Sequence, residues 1–170
     1  RGQEVIVPAV GWSTSLFSVA QAGLTPVLVD VDPDTLSLSG QFEEPVLAIH
    51  MLGNPARVET PWLLEDSCGA HGAELDGNKT GSIGHCGAFS FFFSHHITTG
   101  EGGMLITKDK KLHDKIKILR LHGMSKDAWK RYTPDMVKET KKYMHYDVTQ
   151  VGYKYNMIDL EAVLGISQLN

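Results

Sequence analysis

Apolar residues fall into short runs bounded by Gly, Pro or Asp: EVIVPAV at 4–10, PVLVDV at 26–31, PVLAIH at 45–50, WLLED at 62–66, CGAFSFFF at 86–93 and GMLIT at 103–107. Runs of this length without clean alternation predict strands covered on both faces, as in a largely parallel sheet. Between them the period lengthens to that of a helix. Residues 14–22 predict a first helix closed by Gly23. Leu112, Ile116 and Leu119 share one face of a helix over 108–122, with Gly123 as its stop, and Met157, Leu160 and Leu164 mark another over 157–169. Strands alternating with helices predict an α/β domain, a mostly parallel sheet sandwiched by helices. Residues 124–152 are polar and weakly periodic, and predict an excursion over the surface toward a partner subunit.

In open parallel sheets ligands collect beyond the carboxyl ends of the strands. That rule selects Trp12, His50, Asp66 and the stretch from Ser90 to His96. Asp66 can pair with a protonated ring nitrogen or a metal, or cap the turn that follows it. Trp12 can stack on a flat ligand or fill core. Ser90, with Thr98, Thr99, Gly100, Gly102 and Gly103, offers hydroxyls and permissive backbone to an anion. Neither G-x-G-x-x-G nor a P-loop occurs. His71, His85, Cys86, His95 and His96 lack the spacing of a tetrahedral metal site.

Composition narrows the classes. With 170 residues, a net charge of -4 and a basic run at 108–117 broken by Asp109 and Asp114, there is no footprint for nucleic acid. Two cysteines make no disulfide framework, and the sequence has neither a signal peptide nor a run able to span a membrane, so the cytoplasm is the expected compartment. The chain opens on Arg1 as if entering in the middle of a fold, which reads as a fragment.

The blocks GQEVIVPAVGWSTSLFSVAQAGLTPVLVDVDPDTLSL, HMLGNPA, LLEDSCGAHGAELDGNKTGSIGHCGAFSFFFSHHITTGEGGMLIT, LRLHGMSKDAWKRY and GYKYNMIDLEAVLGISQL, in this order, resemble the DegT/DnrJ/EryC1/StrS family. The resemblance implies a sugar-modifying enzyme of aminotransferase fold type I that uses pyridoxal 5'-phosphate or pyridoxamine 5'-phosphate. It implies that residues 1–170 are part of the large cofactor-binding domain, without the family's N-terminal segment and C-terminal small domain. Trp12 matches the residue that stacks on the pyridine ring, and Asp66 the carboxylate that keeps the pyridine nitrogen protonated. Ser90 matches the hydroxyl that binds the phosphate. Asn156, with Lys154 as the second candidate, matches the residue that reaches a neighbouring subunit's phosphate, which implies a homodimer.

The family's Schiff-base lysine stands five residues after that serine. Here the position holds His95. An imidazole cannot form the covalent link of a primary amine, but it is a general base and acid near neutrality. The His-His replacement resembles the branch of 3-dehydratases that act on nucleotide-linked 4-keto-6-deoxy sugars. The mechanism this implies has His95 move the protons while the C3 hydroxyl leaves, with glutamate as one possible amino donor. Another branch ligates an iron-sulfur cluster with cysteines after the glycine turn; no cysteine follows Cys86, so no cluster is expected. Two departures from the family pattern stand out. Gly69 replaces the residue that touches the cofactor's ring oxygen, with His71 nearby, and the connection from Pro55 to Trp62 is short enough for a helix to be missing. A nucleotide-sugar aminotransferase and a non-catalytic homologue are the alternatives.

Overall fold

The computed structural model describes residues 2–125 and 147–169. In chain order the elements begin β1 (Glu4–Pro8), α1 (Ser13–Gln21), β2 (Thr25–Val29), β3 (Ser39–Gln41), β4 (Val46–Ile49), β5 (Arg57–Glu59) and β6 (Leu63–Asp66). They continue with β7 (Glu74–Leu75), β8 (Asn78–Lys79), β9 (Cys86–Ser90), β10 (Gly103–Ile106), α2 (Lys110–Leu119) and α3 (Asp159–Ile166). Two units emerge, Arg1–Lys108 with Asp159–Asn170, and Asp109–Ile158.

In the first unit the six apolar runs form one sheet of order β10-β9-β6-β4-β1-β2, parallel throughout except where β10 returns against β9. Alternation along each strand assigns the faces. One face carries Val5, Val7 and Leu47 with Ile49 and Leu64, packed on Val19 of α1. The other carries Ile6, Val46, Ala48 and Leu63, packed on Leu38 and Ala56 with Phe42 and Val58 around them. The cover on this second face therefore comes from β3, β5 and their flanking chain. The short connection from Pro55 to Trp62 explains this, because Arg57 and Glu59 point outward on either side of a half-buried Val58, a two-residue period. β5 pairs parallel with β3, and no helix is needed there.

The aromatic run after β9 does not extend the strand. Ser90 Oγ accepts the Phe92 N–H at 3.2 Å, and this local turn draws the backbone away from the ladder. Phe92 and Phe93 emerge exposed.

Behind the strand ends lies a buried ionic group. Glu65 and His50 are 0% and 2% exposed, and His50 Nε2 lies 2.8 Å from Glu65 Oε2. His50 Nδ1 accepts the Ala56 N–H at 3.0 Å, so the proton of a neutral ring sits on Nε2 and is donated to the carboxylate. The Gly81 and Gly84 N–H groups each donate to Glu65 at 2.6 Å. Burial alone raises a carboxyl pKa, but the His50 bond and these two backbone donors outweigh it and hold Glu65 below the ordinary 4.5. One side chain thus ties β6 to the end of β4 and to the turn before β9.

The second unit is described by itself. Asp109 caps α2 by accepting from Lys111 N and Leu112 N at 2.7 and 3.3 Å, and Lys110 pairs with Asp114 one turn on at 2.5 Å. After α2, Leu121 and Lys154 bridge antiparallel, as do Met124 and Val148. Residues 126–146, with most of the predicted surface excursion, lie outside the described residues. No described helix is long and apolar enough to cross a membrane.

Glu65→Ala leaves three donors facing a buried void and is expected to cost about 3 kcal/mol in urea unfolding. Because the folded pKa of Glu65 lies below its unfolded value of 4.5, its contribution is complete above pH 4.5 and is lost as the pH falls through the folded value. The melting temperature of the parent is therefore expected to drop below pH 4.5, and that of Glu65→Gln to drop less over the same window.

Candidate active site at the strand ends

Asp66 ends β6 on the face covered by α1, since it registers with Ile49 of β4 and Ala88 of β9. Ser15, in the first turn of α1 and buried, donates its hydroxyl to Asp66 Oδ2 at 2.7 Å. The Cys68 N–H donates to Asp66 Oδ1 at 3.1 Å. Asp66 thus caps the following turn and is also clamped by a helix; the two uses are compatible because each oxygen has a second lone pair to offer.

Trp12 stands immediately before α1 in extended conformation and is 77% exposed. A core role for it is thereby corrected: the indole lies outside both hydrophobic clusters. It is tied to Asp66 through the helix start, for Trp12 O accepts the Ser15 N–H at 3.2 Å. The step before it depends on the missing side chain of Gly11, where a Cβ would fall 2.4 Å from Ile49 Cδ1. The loop therefore lies directly on the end of β4.

Ser90 ends β9 on the same face as Asp66, two positions beyond Ala88. Its oxygen accepts from Phe92, which leaves its own proton to donate. Asp66 and Ser90 thus occupy adjoining strand ends on one side of the sheet, and Trp12 opens the helix that packs on that side. His95 follows in the loop between β9 and β10, half-buried, with its N–H on Phe92 O at 3.0 Å and its ring edge-on to Phe92. Asn156 and Lys154 belong to the second unit, where the Lys154 ammonium bonds Asn156 Oδ1.

His71 lies elsewhere. Its ring packs on Phe89 and Phe91 at 5.1 and 6.1 Å, the side of β9 opposite Ala88 and Ser90, and on the His96 ring at 5.3 Å. Neither ring nitrogen makes a hydrogen bond of good geometry. Burial, and then the neighbouring His96 and His95, hold its pKa below the ordinary 6.5, with the Cys68 backbone opposing. His71 is thus a neutral prop under the loop, and its packing gives no support to compensation for Gly69. A side chain at Gly69 would meet open space. Burial and the adjacent Asp66 charge push the Cys68 thiol pKa up, which disfavours its thiolate.

The sequence profile of the DegT/DnrJ/EryC1/StrS aminotransferase family matches residues 1–170. The chain belongs to this family. It is 35% identical to a GDP-4-keto-6-deoxy-D-mannose 3-dehydratase of Yersinia pseudotuberculosis, over 99% of this chain and 48% of that protein. It is 36% identical to a GDP-perosamine synthase of Caulobacter vibrioides, over 99% of this chain and 46% of that protein. Among solved structures, an aminotransferase from Psychrobacter cryohalolentis superposes with a TM-score of 0.83 at 31% identity, over 99% of this chain and 46% of that one. The Escherichia coli GDP-4-keto-6-deoxy-D-mannose-3-dehydratase with bound hydrated PLP superposes with a TM-score of 0.77 at 29% identity, over 99% and 48%. The chain spans about half the length of the curated relatives it matches. The α/β fold with its mostly parallel sheet is that of the pyridoxal phosphate aminotransferase-fold enzymes, and pyridoxal phosphate is the cofactor of the family.

The residues present fit that cofactor in kind. A carboxylate clamped at a strand end suits a pyridine N–H, a hydroxyl with a free proton suits a phosphate oxygen, and an exposed indole suits a flat ring. Among the residues that sequence reasoning passed over, Ser15 is the one that orients Asp66. A run of Ser-Thr-Ser opening an apolar helix is the signal that could have found it.

Ser15→Ala removes one hydrogen bond to a charged group and is expected to lower stability by about 1.5 kcal/mol in urea unfolding. Asp66→Asn/Ser15→Ala together are expected to cost less than the sum of the single changes, which a double-mutant cycle measures.

Proposed function

We propose that this chain carries the cofactor-binding half of a pyridoxamine phosphate-dependent 3-dehydratase acting on a nucleotide-linked 4-keto-6-deoxy sugar. The observation that carries the reading is His95, which stands five residues after Ser90, where the family places lysine. The cofactor, when bound, supplies a primary amine for the sugar's C4 ketone and a ring that accepts electrons.

The chain's own residues do the rest. Asp66, oriented by Ser15, accepts the hydrogen bond of the protonated ring nitrogen. Trp12 stacks on the ring, and Ser90 donates to the phosphate. His95 would serve as the base that holds the proton and as the acid that hands it to the departing C3 hydroxyl, which leaves as water. His71 stays neutral beneath the loop and adds no competing charge.

In this reading the protein works as a cytoplasmic homodimer. Asn156, with Lys154 beside it, reaches the phosphate held by a second copy, and glutamate replenishes the amine. The GDP-sugar chemistry in the names of the two relatives supports a nucleotide-sugar substrate.

The similarity to a perosamine synthase favours a second reading, a nucleotide-sugar aminotransferase. That activity needs a lysine at the cofactor, and the strand-end segments 9–12, 50–56, 67–72 and 91–102 contain none.

The test is covalent trapping. The chain and His95→Lys are incubated with pyridoxal phosphate, cofactor uptake is followed by absorbance, and both are reduced with borohydride for intact mass. Uptake by both with an adduct on the variant alone is expected. An adduct on the parent would transfer the case to the aminotransferase, and uptake by neither would sink both readings.

A further inference from the structure

The loop bearing His95 is closed at its neck by backbone bonds. Phe91 N–H donates to Gly102 O at 2.8 Å, and Thr99 N–H donates to Phe91 O at 2.9 Å. Thr99 is buried, with its hydroxyl on Glu101 O at 2.6 Å. The Thr98 hydroxyl donates to Phe91 O at 3.3 Å and accepts the Gly100 N–H at 3.0 Å. These bonds shape the neck, but they leave the backbone N–H and C=O of Thr98 pointing away from it.

Both of those groups are taken by one side chain of the chain's last turn. Gln168 Oε1 accepts the Thr98 N–H at 2.9 Å, and Gln168 Nε2 donates to Thr98 O at 2.5 Å. The amide nitrogen also donates to Leu164 O at 2.7 Å, which fixes the side chain against α3. A primary amide carries one donor edge and one acceptor edge, so it satisfies a backbone unit the way a neighbouring strand does. Gly165 lets α3 come this close, since a Cβ there would lie 3.0 Å from Thr99 Cγ2. The attachment is not a matter of apolar burial: α3 buries none of its residues, and Leu160, Val163 and Leu164 are all more than half exposed.

We propose that Gln168 is the positioning residue for the His95 loop: its amide, held by α3, grips the backbone of Thr98 and so sets where the His95 imidazole stands relative to Asp66 and Ser90. The grip itself follows from geometry. Its bearing on the reaction rests on the dehydratase reading above.

The test uses the full chain with Gln168→Met, which keeps side-chain bulk and helix propensity but removes the amide, and Gln168→Ala beside it. Backbone hydrogen exchange and the ring C–H resonances of His95 are followed by NMR. In both variants the Thr98 amide is expected to exchange at least about tenfold faster while the Glu65 and Asp66 amides keep their protection, and the His95 resonances are expected to move. Unchanged Thr98 exchange in Gln168→Met, or equal loss of protection in β6, would overturn the proposal, since the first means packing alone and the second a general loss of fold.

Dehydration kinetics separate the two claims. A kcat about tenfold lower with KM within about twofold marks a positioned base. Dehydration at the parent's rate in Gln168→Met would sink the positioning role and leave the reaction standing. A Thr98 and His95 response in a protein that performs no dehydration would leave the grip standing and remove the reaction.

Discussion

Two neighbouring carboxylates at the end of one strand point to opposite faces of the sheet, and the arrangement of the first unit follows from that alternation. Glu65 turns inward, is fully buried, and gathers His50, Gly81 and Gly84 around a charge that could not otherwise be kept there. Asp66 turns toward α1 and keeps partial exposure beside Ser15. The first fixes the height at which β4, β6 and the turn before β9 end together. The second stands on the resulting ledge. The ladder sets Asp66 beside Ile49 and Ala88 at the same level, two positions before Ser90.

Much of this was legible in the residues. Each of the six apolar runs overlaps a strand of the main sheet, and the periodic segments 14–22, 108–122 and 157–169 overlap the three described α-helices, with β2 and α1 each starting one residue earlier than read. Their ends were less legible, because side-chain turns such as Ser90 on Phe92 compete with the ladder and cannot be read from hydrophobicity. β3 and β5 escaped notice: Ser39-Gly40-Gln41 and Arg57-Val58-Glu59 hold a single apolar residue between them, and their pairing is visible only once the chain is folded.

The site shows the same division. Asp66, Ser90 and His95 could be picked out because strand ends are where ligands gather and because those residue types carry chemistry. Their supports could not. Ser15 meets Asp66 across 51 positions and Gln168 meets Thr98 across 70, and nothing local to either sequence announces the partner. Trp12 was ambiguous for a different reason. The same indole serves a core or a ligand, and its exposure, not its identity, separates the two uses.

The antiparallel return of β10 along β9 has a consequence for how this chemistry can change. Every other neighbouring pair in the main sheet is parallel and is joined by a crossover, so altering such a connection disturbs the layers packed on the sheet. Residues 91–102 instead leave and re-enter at adjacent strands, as an enlarged hairpin tip whose two ends are already paired through Ser90 and Gly103. A side chain near the middle of that tip belongs to neither hydrophobic cluster. A change of side chain at position 95 therefore does not ask the core to repack, which makes the hairpin tip a replaceable part on a fixed chassis.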